Sequence, residues 1–132
     1  MSDIEVTSVC EEGYTVESDI DGEWELVVDA LGEDGPTAQQ VVAADYASCY
    51  IPALRVAADQ EGHGDVGHIE VETEADLDGD DDLEAIAFTV KTEASFGDDG
   101  QAVVELAEEI CHVHDALRDG LHADITLEDD AF

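Results

Sequence analysis

The stretch AADYASCYIPALRVAA, residues 43–58, decides the fold. Charged residues make up 30% of the whole chain, yet this run contains only Asp45 and Arg55. Its composition and spacing predict a helix that is buried on nearly all sides. Cys49 lies near its middle. The rest of the chain is therefore expected to pack around an apolar helix that carries a thiol.

Local signals predict where this helix begins and ends. Thr37 can cap the free amides of the first turn while Gln40 reaches back to it, as in a capping box. The pair Glu61-Gly62 predicts the end of the helix. Apolar positions at helical spacing form one stripe that is predicted to face the core: Val42, Tyr46, Cys49, Ala53 and Val56.

A second cysteine lies in ELAEEICHVHDALRDGLHADITLE, residues 105–128, a predicted helix that runs into the last strand. Cys49 and Cys111 are too far apart for a short CxxC motif, so they meet only if the two helices pack together. A dithiol built from two packed helices is typical of peroxide-reducing thiol enzymes, in which one thiolate attacks and the other resolves the sulfenic acid. The alternative is inert packing, since free cysteine is among the most buried residue types.

Alternation of polar and apolar residues predicts three strands before the first helix, two after it, and one at the end of the chain. Asp21-Gly22 is a hairpin signal between the second and third strands. In the fifth strand Ile86, Phe88 and Val90 are predicted to face inward. This order of elements predicts an α+β fold, and the length of 132 residues suits one domain over residues 1–132.

The charge of the chain is extreme, with 37 acidic residues against three basic ones and a formal net charge of −34. Such charge strains a compact domain by self-repulsion, which molar salt removes because the screening length falls to about 3 Å. The composition therefore predicts a halophilic protein. Intrinsic disorder is disfavoured, since 44% of residues are hydrophobic and periodically placed. An acidic decoy for a basic partner is disfavoured because the charge is spread along the chain.

The same composition argues against several partners and compartments. Nucleic-acid binding needs basic residues for phosphate contacts, and only Arg55, Lys91 and Arg118 are present. No apolar run approaches the length of a membrane span. The N-terminal stretch lacks the basic segment of a secretory signal, and three cysteines favour reduced thiols over a disulfide framework. A cytoplasmic protein without nucleic-acid or membrane partners is expected.

Both cysteine-bearing segments resemble the osmotically induced protein C and organic hydroperoxide resistance (OsmC/Ohr) family. Residues 36–62 resemble its first long helix, with an alanine-rich approach to a cysteine. Residues 108–128, EEICHVHDALRDGLHADITLE, resemble its second signature of Glu-Glu-x-Cys, a short helix, a glycine and a final strand. The resemblance extends over nearly the whole chain.

The resemblance implies an OsmC-like fold with antiparallel sheets, two central helices and an intertwined homodimer. It also implies a thiol peroxidase that needs no cofactor and reduces organic hydroperoxides. Cys49 would be the peroxidatic nucleophile and Cys111 the resolving thiol, with a dithiol-type reductant regenerating both. The family breaks the second helix just before its cysteine, and the continuous periodicity of this segment leaves that break open.

The sequence departs from the family around the first cysteine. The resemblance implies an upstream arginine and an acidic residue in the approach to the helix, but no Lys or Arg precedes Arg55, and Gln39 and Gln40 stand near the acidic position. On a continuous helix His114 and Arg118 share a face with Cys111 and are the possible supporting residues. The alternative function is a non-catalytic OsmC-like protein that binds a small molecule or a partner and has lost the activating arginine.

The remaining candidate sites are weaker. Cys111, His112 and His114 include metal-binding residue types but lack further ligands at a suitable spacing, so no metal site is predicted. The acidic loop, residues 76–84, imitates a calcium-binding loop but has Asp81 at the turn-glycine position. Cys10, at the end of the first strand, is predicted to be structural.

Overall fold

The computed structural model describes residues 2–132. It divides into two compact units, one up to Val42 and one from Ala43 to Phe132. The strands and helices, in chain order, are β1 (Val6–Val9), β2 (Thr15–Ile20), β3 (Trp24–Asp29), α1 (Ala38–Gln60), β4 (Ile69–Leu77), β5 (Leu83–Thr92), α2 (Gly100–Ile110), α3 (His112–Ala116) and β6 (Asp124–Glu128). This is the predicted α+β order.

The first unit contains an antiparallel sheet in the order β1-β2-β3. The predicted hairpin forms at Asp21-Gly22, where both residues have positive φ (55° and 71°), as a type I′ turn requires. The Glu23 N–H donates to the Ile20 carbonyl at 3.0 Å, and strand pairing begins beside it, with Ile20 opposite Trp24. The hairpin prediction is confirmed.

Helix α1 begins with the predicted capping box. The Gln40 N–H donates to Thr37 Oγ1 at 3.2 Å, and the Thr37 N–H donates to Gln40 Oε1 at 2.9 Å. The two reciprocal bonds satisfy amides that have no partner within the helix. They fix the position at which α1 starts.

The buried face of α1 is rotated from the predicted stripe. Val56 is 44% exposed, and Ser48 and Pro52 are exposed as well, so the helix is not buried on nearly all sides within this chain. The buried face is centred closer to Tyr50 and Leu54, because burying these large side chains removes more apolar surface from water than burying alanine does. The buried positions are Tyr46, Tyr50, Ala53, Leu54, Ala57 and Ala58.

The second unit contains a sheet in the order β4-β5-β6, with β5 in the centre. As predicted, Ile86, Phe88 and Val90 of β5 are buried, at 3% exposure or less. Strands β4 and β5 are antiparallel, as predicted, but β5 and β6 are parallel, which corrects the antiparallel prediction for this one pair. The chain between β5 and β6 forms α2 and α3, and a helical crossover of this kind returns a strand in the parallel direction.

The core of the second unit lies between this sheet and the helices. Buried side chains of α1, β5 and α2 form one apolar cluster, to which Cys111 also belongs. Within residues 2–132, no helix is both long and apolar enough to cross a membrane. The core thus brings α1 close to the end of α2. Cys49 lies on α1, and Cys111 directly follows α2.

Candidate functional site

The site begins with a break between α2 and α3 at Cys111. Cys111 has an extended backbone (φ −68°, ψ 111°) and is both the last cap of α2 and the first cap of α3. Its N–H donates to the Ala107 carbonyl at 3.0 Å, which closes α2. The break that the family resemblance implied is therefore present, and it leaves the first amides of α3 without partners inside their own helix.

The thiol of Cys49 lies at these amides. Cys49 is half-buried at the edge of the buried face of α1. Burial raises the pKa of Cys49, but hydrogen bonds from the Val113 N–H, the Cys111 thiol and the His112 N–H together outweigh burial and lower it. All of these donors favour the thiolate form. The two site cysteines are thus brought into direct contact.

Cys111 has the opposite character. Its side chain is buried, with 1% exposure, and it accepts the N–H of His114 at 3.5 Å. Burial raises the pKa of Cys111, the His114 N–H lowers it, and the neighbouring Cys49 sulfur raises it further, so the net shift is upward. Of the two thiols, Cys49 loses its proton first and Cys111 remains a hydrogen-bond donor.

A buried tyrosine connects α1 to α3. The hydroxyl of Tyr46 lies 2.6 Å from His114 Nδ1 and accepts the N–H of Ala123 at 3.0 Å. The His114 ring stacks on His122, with centroids 3.8 Å apart. Burial lowers the pKa of His114, and His122 lowers it further. His114 is therefore held as a neutral ring beside the thiols.

An acidic cavity of about 480 Å³ opens beside these histidines. Burial raises the pKa of Glu108 in its wall, and the nearby Glu105 raises it further. Its lining residues are Glu105, Glu108, Glu109, His114, Asp115, Leu117, Asp119 and His122. Five of these eight carry carboxylates, so the cavity itself is strongly acidic.

The basic residues are engaged elsewhere. Arg118 lies beyond the end of α3, so the helical-face argument that aligned it with Cys111 does not hold, and its guanidinium donates to the Leu83 carbonyl at 2.8 Å. Arg55 lies 3.8 Å from Asp65, and Lys91 lies 2.9 Å from Glu72. The donors that the structure gives to Cys49 are therefore uncharged.

The other candidate sites from the sequence are Cys10, the acidic loop and a metal site. Cys10 is exposed in the first unit, where its thiol donates to the Gly13 carbonyl at 3.4 Å. In the acidic loop, Asp78 Oδ1 accepts the N–H groups of Asp80 and Asp82, which gives the loop a turn conformation. Within the described part of the chain, no cluster of three or more His, Cys, Asp or Glu side chains could hold a metal ion.

Sequence reasoning placed Tyr46 in the core stripe but missed the role of its hydroxyl, and it missed His122. Tyrosine in a stripe of alanine and valine is a usable signal, because a buried hydroxyl needs a hydrogen-bond partner. That partner, Ala123, is far along the chain and shows no motif. The stacking of His114 on His122 crosses the turn Asp119–Leu121, and sequence spacing does not reveal it.

One protein-family model matches most of this chain. The family model described as OsmC-like protein matches residues 31–126, which include Cys49 and Cys111. The chain belongs to the OsmC-like family. Strands β1 to β3 lie before the matched region. The predicted family is confirmed.

The chain is also similar to individual proteins and solved structures. The chain is 47% identical to an uncharacterised protein of Haloferax volcanii over 100% of both chains, which is consistent with the predicted halophilic character. The organic hydroperoxide resistance protein OhrB of Bacillus subtilis has a similar structure, with a TM-score of 0.70, 24% identity and coverage of 95% of this chain and 97% of its own. A putative osmotic stress induced and detoxification response protein from Psychrobacter arcticus gives a TM-score of 0.78 at 13% identity, with coverage of 97% and 96%. These two structures support the OsmC-like fold.

Proposed function

We propose that this OsmC-like protein is a cysteine-based thiol peroxidase that reduces organic hydroperoxides. Cys49 is the peroxidatic nucleophile and Cys111 the resolving thiol. One observation carries the proposal: the two thiols are in hydrogen-bond contact, and the pKa of Cys49 is lowered while that of Cys111 is raised. Such an asymmetric pair separates the attacking role from the resolving role.

In the first step the Cys49 thiolate attacks the outer oxygen of the hydroperoxide ROOH. A sulfur–oxygen bond forms, the O–O bond breaks, and the alkoxide leaves as ROH after taking up one proton. Cys49 is thereby oxidised to a sulfenic acid. The amides of His112 and Val113 favour the thiolate that starts this step.

In the second step Cys111 attacks the sulfur of the sulfenic acid. A disulfide forms between Cys49 and Cys111, and the sulfur–oxygen bond breaks. The hydroxyl of the sulfenic acid leaves as water with the proton of the Cys111 thiol. The two sulfurs start within hydrogen-bonding distance, so no distant thiol has to move into place. An external dithiol then reduces the disulfide, is itself oxidised to a cyclic disulfide, and returns both thiols.

The proposal includes an intertwined cytoplasmic homodimer. On the exposed side of α1, Ser48, Pro52 and Val56 are uncharged residues on an otherwise acidic chain. Light scattering coupled to size-exclusion chromatography at molar potassium chloride should give twice the chain mass of 14.1 kDa. A single-chain mass at micromolar concentration would contradict this part of the proposal.

A non-catalytic binding protein is the second candidate. It is favoured by the arginines, because Arg118 is bound to the Leu83 carbonyl and Arg55 to Asp65. A thiolate without a cationic neighbour lacks one means of stabilising the charge that develops on the leaving oxygen. Such a protein would keep the thiol pair but react slowly with peroxide.

One experiment separates the two candidates. Reduced protein in molar potassium chloride is mixed with an equal amount of tert-butyl hydroperoxide, and both peroxide and free thiols are followed. The peroxidase should consume one peroxide and lose two thiols per chain in a single turnover. Peroxide that persists over minutes, with all three thiols still titratable, supports the binding protein.

A further inference from the structure

The hydroxyl of Tyr46 occupies a defined place between two partners. It accepts the backbone N–H of Ala123 at 3.0 Å, since an amide can only donate. Its own proton is then free to donate to His114 Nδ1, 2.6 Å away. Tyr46 is fully buried, so each of these bonds replaces a contact with water. In the tautomer with Nδ1 unprotonated, His114 accepts this proton.

His114 in turn belongs to the helix that contacts the nucleophile. Its backbone N–H donates to Cys111 Sγ at 3.5 Å, and the amides just before it, from His112 and Val113, bind Cys49. Helix α3 has only five residues and is flanked by extended backbone at both ends, so its own hydrogen bonds hold it weakly. Its orientation therefore depends on side-chain anchors.

The C-terminal end of α3 is held by His122, which also contacts His114. The His122 ring stacks on His114, and its Nε2 donates to the carbonyl of Leu117 at 3.0 Å. Leu117 is the C-terminal cap of α3. The Tyr46–His114 contact thus acts on the middle of this short helix, and the His122–Leu117 contact acts on its C-terminal cap.

The anchor and the nucleophile share one helix. Tyr46 and Cys49 are three residues apart on α1, a spacing that places them on neighbouring positions of one face. The contact of Tyr46 with His114 fixes α3 relative to that face, and the amides of α3 then meet the Cys49 sulfur. Helix α1 therefore holds α3 through the Tyr46 side chain, and α3 in turn stabilises the Cys49 thiolate on α1.

We propose that Tyr46 and His114 are positioning residues for Cys49, which hold α3 so that its amides stay on the sulfur. Neither residue touches the reacting oxygen. The effect of Tyr46 and His114 on catalysis rests on the proposed function, but their effect on the acidity of the Cys49 thiol does not. The prediction therefore concerns the acidity of one thiol and is measurable without peroxide.

The test compares two tyrosines of α1. Tyr46→Phe removes the hydroxyl that contacts His114, while Tyr50→Phe removes a hydroxyl that donates to the Val104 carbonyl of α2 at 3.4 Å. Both rings pack on Phe88, and phenylalanine keeps that ring contact, so each variant loses only its hydroxyl. Iodoacetamide labelling of Cys49 is followed against pH by mass spectrometry in molar salt. Below the midpoint of the profile, Tyr46→Phe should label about three- to tenfold more slowly, a pKa rise of roughly half to one unit. Tyr50→Phe should keep the wild-type profile.

A second pair tests the histidine. In His114→Asn the amide oxygen can still accept from Tyr46, so the Cys49 profile should stay near that of the wild type. His114→Leu offers no acceptor and should reproduce the slower labelling of Tyr46→Phe. Circular dichroism and melting curves check that each variant folds. Should Tyr46→Phe fail to fold, the two histidine variants decide alone.

Two results would overturn the proposal. One is equal labelling profiles in Tyr46→Phe and Tyr50→Phe, and the other is equal profiles in His114→Asn and His114→Leu. A wild-type protein that leaves peroxide unconsumed refutes the proposed function instead, and the labelling profiles still decide on Tyr46 and His114.

Discussion

The Cys111 thiol donates a hydrogen bond to the sulfur of Cys49, and this contact gives the two residues opposite acidities. Burial raises the pKa of both. Only Cys49 receives enough hydrogen bonds to outweigh burial. The Cys111 thiol donates one, and the backbone amides at the start of α3 donate two. The fold thus makes the more exposed thiol the stronger acid and keeps the buried one protonated.

The first prediction assigns the roles of the cysteines. Cys49→Ser should abolish peroxide consumption, while Cys111→Ser should react once and leave a sulfenic acid on Cys49, which dimedone labels and mass spectrometry locates. Cys10→Ser is the control and should keep the wild-type rate. Rapid peroxide loss in Cys49→Ser with dimedone on Cys111 would reverse the roles, and unchanged rates in all variants would exclude a thiol mechanism.

The second prediction concerns pH. Because the pKa of Cys49 is lowered, its labelling rate should rise with pH and level off below the ordinary thiol range of about 8.5, with N-acetylcysteine as reference. Cys111→Ala removes a donor to the thiolate and should move the profile upward, with roughly threefold or greater slowing below the midpoint. Cys111→Ser keeps a donor and should shift less. Identical profiles for the two variants would show that the contact between the thiols is unimportant.

The third prediction follows from the uncharged donors around Cys49. Salt screens a cation and would raise the pKa of a thiolate that depended on one. Here the charges in the surroundings are mainly carboxylates, which disfavour the thiolate, so potassium chloride should lower the pKa of Cys49 or leave it unchanged. The labelling profile measured at several salt concentrations within the folded range checks this. A midpoint that climbs with salt would reveal a cationic partner.

The fourth prediction concerns stability. With a net charge of −34, unscreened carboxylates repel one another in dilute buffer, so the folded protein should loosen or unfold there. The melting temperature should rise from dilute buffer to molar potassium chloride, as measured by circular dichroism. A melting temperature that stays flat over this range contradicts the halophilic interpretation.

The fifth prediction tests the start of α1. Thr37→Ala removes the oxygen that accepts the Gln40 N–H and should lower the free energy of unfolding by about 1 kcal/mol. Thr37→Ser keeps the oxygen and should cost much less. Denaturation by guanidinium chloride at constant ionic strength measures both. Equal losses in the two variants would mean that the threonine methyl group, not the cap, stabilises the helix.

Local signals predicted much of the fold. The Asp21-Gly22 turn, the Thr37–Gln40 cap and the inward face of β5 each depend on residues close together in sequence, and each is confirmed. The parallel direction of β6 was missed because the alternation of apolar residues is the same for either strand direction.

The site was only partly predictable for a related reason. His112 and Val113 continue the helical periodicity past Cys111, so the pattern alone does not reveal the break. The rotated face of α1 and the hydrogen bond from the Ala123 N–H to the Tyr46 hydroxyl depend on which elements meet in three dimensions. Helix propensity is a weak guide wherever tertiary contacts decide the local geometry.

The parallel pairing of β6 with β5 has a consequence for the order of assembly. Ala123 stands just before β6, so its bond to Tyr46 forms only after the long segment containing α2 and α3 has been closed as a loop, which is slow. On the ribosome, Cys49 emerges well before that event. Until β6 has paired with β5, the Cys49 thiol keeps the pKa of a cysteine in an unfolded chain. Its lowered pKa and its contact with Cys111 then arise in the same folding step.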